Sequence, residues 1–413
     1  MTPAPRVSTG RFLIDNAPWL GAGAMMSFLS AFGQTFLLSV FAAEIMAEFG
    51  LTDGGWGLTY TVGTGLSAAI MVWAGGLADR FRVRVLGSAV LVCLALSCLF
   101  MAGNRMVALL PLAILALRLF GQGMASHVAL VAMARWFVAT RGRALAVATF
   151  GFAAAEATLP LTLVAAKRVL DWRTLFVLMA LVALLAIPLL WALLRTERTP
   201  QADAEVNVQA GMDGRHWTRA EALRHPLFWA LAPSLMAFPA FATAFWFHQV
   251  HFAELKGWSH LSFVALFPLG TAAFLGSTIV YGWLIDRFGT GPLLPIYLLP
   301  VAAAFTVHAW GPTLPWGLAG VVLMGLAGGG QATLPSACWA EFFGTRHIGS
   351  IKAAVAALMV LGSALGPGIS GLLIDAGVDL PMQYQAYAVI FLACAALVLP
   401  VSRRARATLP APA

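Results

Sequence analysis

Gly75-Gly76-Leu77-Ala78-Asp79-Arg80-Phe81 recurs, 207 residues further on, as Gly282-Trp283-Leu284-Ile285-Asp286-Arg287-Phe288. The shared form is G-x-L-x-D-R-F. Each copy stands where an apolar run of membrane-spanning length meets a charged turn. The same offset aligns Gly121 and Gly123 with Gly328 and Gly330, and Pro160 with Pro367. Parallel halves of nearly equal length in an apolar chain are the mark of a duplicated two-domain membrane transporter.

Composition supports the membrane reading. Of the 413 residues 60% are hydrophobic and only 10% charged, against roughly 25% charged in soluble domains. The mean hydropathy is +0.85. A pI near 9.9 invites a nucleic-acid partner, yet the basic residues lie in alternate loops and build no basic face with interleaved aromatics, so nucleic acid is excluded. Cys93, Cys98, Cys338 and Cys394 lie in or beside apolar runs without a CxxC pair. They read as inert buried thiols. Neither a metal nor a cofactor is expected. The polar start from Met1 to Asn16 lacks the three-part pattern of a signal peptide, so the first span is read as retained.

Apolar runs between charged or Pro/Gly-rich breaks give spans at 17–41, 56–78, 85–102, 109–134, 144–166 and 174–194, then 228–251, 261–285, 293–309, 315–338, 350–373 and 384–402. The expected fold is all-α, with twelve transmembrane helices in two pseudo-symmetric six-helix bundles. Residues 1–195 form the first bundle, 196–227 a linker, and 228–413 the second bundle with a short tail. One set of alternate segments holds 19 of the 25 Lys and Arg residues. The opposite set holds Arg105, Lys167, Arg168, Arg173 and Lys256, and Arg118 falls within a span. The positive-inside rule then puts both termini and the linker in the cytoplasm, in a cell (inner) membrane. A monomer is expected. Thr218-Arg219-Ala220-Glu221 reads as a capping box opening a short helix. That helix is either a surface segment or part of a tether.

In each copy of the repeated turn an Asp and an Arg cap the end of a span, with a glycine one turn earlier that lets a neighbouring helix approach. Contacts made there in one conformation and broken in another would act as a gate. The alternative is a static topology anchor. Two copies in equivalent places favour the gate, with Gly75, Asp79, Arg80, Gly282, Asp286 and Arg287 as its residues and Glu341, at the end of span 10, beside them.

These features resemble the major facilitator superfamily, whose hallmark between helices 2 and 3 is G-x-L-a-D-r-x-G-r. The first copy departs from it at Arg82, where a glycine is expected, whereas the second keeps Gly289. Arg118-Leu119-Phe120-Gly121-Gln122-Gly123 is similar to the helix-4 element of the superfamily. Gly362, Gly366-Pro367-Gly368 and Gly371 look like an antiporter kink motif, displaced here to span 11. Arg135-Trp136-Phe137, Arg141-Gly142-Arg143-Ala144-Leu145-Ala146 and Asp171-Trp172-Arg173 resemble the monocarboxylate transporter and oxalate:formate antiporter branch. In that branch a lysine of span 11 binds substrate; Lys352 lies nearer the span's end, and the partner arginine of span 8 is absent. The resemblance implies alternating access, with spans 1, 4, 7 and 10 lining a cavity. Candidate lining residues are Ser27, Ser30, Gln34, Gln122, Phe245, Trp246, Gln249, Gln331 and Thr333.

A charge at mid-bilayer costs at least about 2.5–3.5 kcal/mol, so ionisable residues inside spans are functional candidates. Counting about 1.5 Å per residue puts Arg118 of span 4 and Glu156 of span 5 at similar depth, about 17 and 18 Å above the inner face. An Arg118–Glu156 pair in which Glu156 takes up a proton and frees Arg118 for an anion is one reading. The other is a structural ion pair. His127, in the inner half of span 4, is a further candidate for substrate binding in the cavity. His248 and His251 share a helical face near the outer end of span 7 and are candidates for a proton-linked gate.

The leading expectation is proton-coupled transport of a small organic anion such as a monocarboxylate. Drug or metabolite efflux is the alternative, and a non-transporting receptor or scaffold the reading from another class. No HExxH, GxSxG or Walker sequence points to an enzyme.

Overall fold

The computed structural model describes residues 9–137, 140–196 and 210–409, without the side chains of Thr9, Asp79, Arg141 and Ala353. The carboxylate of the gate candidate Asp79 and residues Pro200, Asp203, Glu205 and Asn207 of the expected linker therefore lie outside the described part. Helices make up the regular structure, and no strand occurs among the described residues.

The long helices follow the twelve apolar runs. We label them α1 (Ala17–Gly33 and Thr35–Phe49), α2 (Asp53–Ala74), α3 (Val83–Gly103), α4 (Val107–Trp136), α5 (Arg141–Ala166) and α6 (Trp172–Leu193). In the second half they are α7 (Pro226–Phe247), α8 (His260–Phe288), α9 (Leu293–Trp310), α10 (Leu314–Phe343), α11 (Ile348–Asp375) and α12 (Leu380–Ala407). Ten are long and apolar enough to cross a membrane, and α1, bent by 50° at its break, makes eleven. The twelfth, α2, has 22 residues but does not join this apolar set, because glycine and threonine fill its first half.

Helix starts follow local chemistry. Asp171 Oδ1 accepts from the backbone N–H of Thr174 at 2.9 Å and opens α6. Ser259 caps α8 in the same way, accepting from Ser262 N, and Asp379 accepts from Leu380 N at the start of α12. The Thr218–Glu221 capping box forms as the sequence implied, over the short helix Arg219–Ala222.

The chain divides into two compact units: residues 1–38, 66–159 and 166–205, and residues 39–65, 160–165 and 206–413. Within the first, α3 packs on α6 and α4, and α1 on α6. Within the second, α9 packs on α12 and α10, and α7 on α12. These are the same pairings displaced by six helices, so the duplication read in the sequence is also a duplication of packing.

The two halves part company in α4. Arg118–Ala125 is a π-helical stretch, whereas α10 is α-helical throughout. In α1 the facing segment Ser30–Gly33 tightens into a 3-10 turn and Gln34 is extended (φ −82°, ψ 152°). Backbone meets backbone here: a Cβ on Gly121 would lie 2.6 Å from Gly33 N and 2.7 Å from Gly33 Cα. Gly121→Ala is therefore expected to cost at least about 1–3 kcal/mol, seen as a lower melting temperature in detergent. Gly276→Ala, where a Cβ meets nothing within 4 Å, is the control. Equal melting of the two variants would refute the tight contact.

Candidate functional site

In the first unit the polar centre is the break in α1. A 3-10 turn followed by an extended residue takes carbonyls out of the helical ladder, and each needs a donor. Arg118, 2% exposed, supplies one: its Nη1 donates to Gly33 O at 3.1 Å and to Thr35 Oγ1 at 3.2 Å. Gln34 lies between those two acceptors in sequence, and Gln122 follows Arg118 on the π-helical stretch whose backbone abuts Gly33. Arg118, Gln34 and Gln122 thus come together. Glu156 is half-buried in α5 of the same unit. The residue matching Arg118 in the second half, Gly325, does something different: its missing side chain lets α10 close against Gly270 and Ala273 of α8.

In the second unit the first turn of α2 meets α7 and α11. The α7 helix stops at Phe247, His248 caps it, and a new helix runs over Gln249–Leu255. Despite this break both imidazoles reach one carboxylate. Asp53 Oδ1 lies 3.5 Å from His248 Nδ1, and Asp53 Oδ2 3.6 Å from His251 Nδ1. The far nitrogen of His251 is 3.0 Å from Asp379 Oδ1, and that of His248 is 3.2 Å from Pro367 O. Each ring thus faces an acceptor on both sides. A neutral imidazole has one N–H to donate and an imidazolium two, so only the charged form satisfies both sides of His251. Burial resists ionisation of Asp53, ahead of the apolar part of α2. The hydrogen bond from His248 and the fields of His251 and His248 outweigh it and hold the carboxyl below its ordinary range.

Asp375 completes this end by accepting from Thr52 Oγ1 at 2.7 Å and from Gly54 N at 3.1 Å, at the positive end of the α2 dipole. Below it, Trp56 stacks on Phe247 at 5.4 Å. Gln249 donates to Ser39 Oγ, which in turn donates to Trp246 O at 2.7 Å. Ser39 and Trp246 are themselves 207 residues apart, so equivalent positions of the two halves touch. Among the described residues no group of three ligating side chains converges as a metal centre requires.

A family model described as the Major Facilitator Superfamily matches residues 23–305 and 273–412. The chain belongs to the Major Facilitator Superfamily. Among curated proteins no match was found. Among solved structures, a bacterial homologue of the human lysosomal transporter Spinster, in an inward-facing, unoccupied conformation, is similar at 17% identity and a TM-score of 0.70, covering 96% of this chain and 99% of that one. The nucleoside transporter NupG is similar at 14% identity and 0.67, over 94% and 98%. The human organic anion transporter TETRAN is similar at 18% and 0.61, over 93% and 99%. At these identities the likeness is one of fold. The chain is thus a multi-pass membrane transporter of this superfamily.

The superfamily turn between helices 2 and 3 takes two forms. In the first copy α2 ends at Ala74, Gly75-Gly76 turn the chain, and Leu77–Arg80 form a short helix. Two side chains of α4 hold it: His127 Nε2 is 3.0 Å from Gly75 O, and Arg135 donates to Ala78 O at 3.0 Å. His127, read as a substrate candidate, sits on the turn. In the second copy α8 runs through Gly282 and Asp286 to Phe288 and stops at Gly289, whose φ of 71° suits glycine. Glu341 accepts there from Thr290 N at 2.7 Å. Asp286 is exposed, and Arg287 lies over the Trp283 and Phe288 rings at 5.4 and 5.5 Å. Trp246 packs edge-on against Phe267, and Lys352 donates to Ser336 Oγ at 2.7 Å. Gln331 of α10 keeps both polar atoms of its amide buried without a hydrogen-bond partner.

Asp53, Asp375 and Asp379 were not singled out in the sequence. Asp53 stands in a glycine-rich turn and Asp379 reads as a helix cap, each sufficient reason for an aspartate. The pair His248 and His251 was the only signal, and nothing in it names the carboxylates.

Proposed function

We propose that the chain moves a small organic anion, a monocarboxylate by class, together with protons by alternating access. The observation that carries the proton coupling is His251 between Asp53 and Asp379. It ties the start of α2, in the first half of the sequence, to α7 and α12 in the second half, through a ring that only its charged form satisfies on both sides. On the orientation given by the basic residues this is the outer end, in a cell membrane with both termini cytoplasmic. Protonated histidines hold that end shut, and their deprotonation loosens it. The anionic substrate class is supported by Arg118, a cation at the only π-helical stretch among the described residues, and Glu156 is its proton-accepting partner.

Purified protein in liposomes is expected to accumulate a monocarboxylate when the outside is acidified, and Glu156→Gln to lose the dependence on the imposed pH gradient. Failure of every carboxylate would overturn the substrate class, and stimulation by lipophilic cations would favour efflux instead. Full proton-driven uptake by the Gln variant would remove Glu156 from coupling.

A further inference from the structure

Away from both clusters, an open groove of about 600 Å³ lies on the first unit, lined by Arg84, Ile187, Pro188, Trp191, Ala192 and Arg195. It runs between the start of α3 and the end of α6. Its two arginines flank span ends, since α3 begins at Val83 and α6 stops at Leu193. That is the depth at which an apolar core gives way to headgroups. The walls are built rather than incidental. Trp191 Nε1 donates to Ser88 Oγ at 2.8 Å, and Ser88 Oγ donates to Arg84 O at 2.7 Å. The guanidinium of Arg84 lies 4.6 Å from the centroid of the Trp191 ring it covers, so the indole orients the arginine.

We propose that this groove binds one anionic phospholipid of the surrounding bilayer. Four lining residues offer apolar wall to an acyl chain. Two guanidinium groups at the rim match a phosphodiester, which arginine holds by paired charge-assisted hydrogen bonds. No lining residue is acidic. The tryptophan, 47% exposed, has the amphipathic ring favoured at the interface. The neighbouring Leu185 and Leu189 of α6 are 62% and 51% exposed, so the groove opens on an apolar surface. A soluble phosphate would satisfy the arginines and leave the apolar wall unused, whereas a lipid satisfies both.

Native mass spectrometry of the full chain titrated with phosphatidylglycerol or phosphatidylcholine tests this. Phosphatidylglycerol is expected to bind in preference. Each Arg→Gln change should weaken it roughly fivefold, and R84Q with R195Q about 25-fold, from the usual contribution of a basic residue near an anionic surface. R195Q alone, at an exposed position beyond α6, keeps the test open if the double variant fails to fold. Equal binding of both lipids, or unchanged binding by R195Q and the double variant, would overturn the proposal. Displacement of the lipid by glycerol phosphate at comparable concentration would overturn it in favour of a soluble anion.

Discussion

Arg118→Ala is expected to lower anion uptake by about 100-fold or more and to destabilise the protein by about 2–4 kcal/mol, from loss of charged hydrogen bonds to buried acceptors. The stability loss follows from Gly33 O and Thr35 Oγ1, which lose a donor inside the membrane. The loss of uptake follows only if the guanidinium also meets the substrate. Arg118→Lys separates the two roles, since it keeps the charge but replaces a planar fork with a point cation. Melting in detergent should recover in part with Lys, while KM for the anion stays raised. If uptake per folded molecule were unchanged in either variant, Arg118 would be a structural strap for the break in α1 and the anionic substrate class would lose its main support.

Asp53→Asn is the second large effect expected. It removes the carboxylate that His248 and His251 share. The pKa of Asp53 is depressed in the fold, so its contribution is present above the ordinary carboxylate range and disappears as pH falls through the depressed value. The ion pairs also need charged imidazoles, so the cluster weakens on either side of the range in which carboxylate and imidazolium coexist. Wild-type uptake should vary roughly tenfold between pH 5.5 and 8, whereas Asp53→Asn and His251→Gln should flatten that profile. A variant with the wild-type pH profile would show that the cluster is packing and not a proton-linked latch.

The helices themselves were legible because a bilayer demands about 20 apolar residues per crossing and the polar loops between are conspicuous. The one helix outside this apolar set, α2 (Asp53–Ala74), was expected at 56–78 from its apolar run, and the G-x-L-x-D-R-F turn follows it. Arg118 was legible as a charge inside an apolar run. Its partners were not: Gly33 O is a backbone atom, available only because α1 breaks there, and a break is a property of the helix it packs on. His248 and His251 were legible as neighbours on one face, yet the structure places a helix break at His248 and still brings both rings to Asp53. The two copies of the turn looked alike in sequence. One is interrupted at Gly75-Gly76 and held by His127 and Arg135, the other is continuous to Gly289.

By itself the sequence determined the duplication, the membrane class, the run of spans and the asymmetry of Arg118, because periodicity, length and the cost of buried charge act locally along the chain. Tertiary structure alone decided which acceptors Arg118 holds, which carboxylates bracket His251, and that a groove joins Arg84 to Arg195 across α3 and α6. Those are contacts between residues tens to hundreds of positions apart. No local pattern encodes them: Asp379 is legible as a helix cap, and only the packing also sets the same carboxylate against His251.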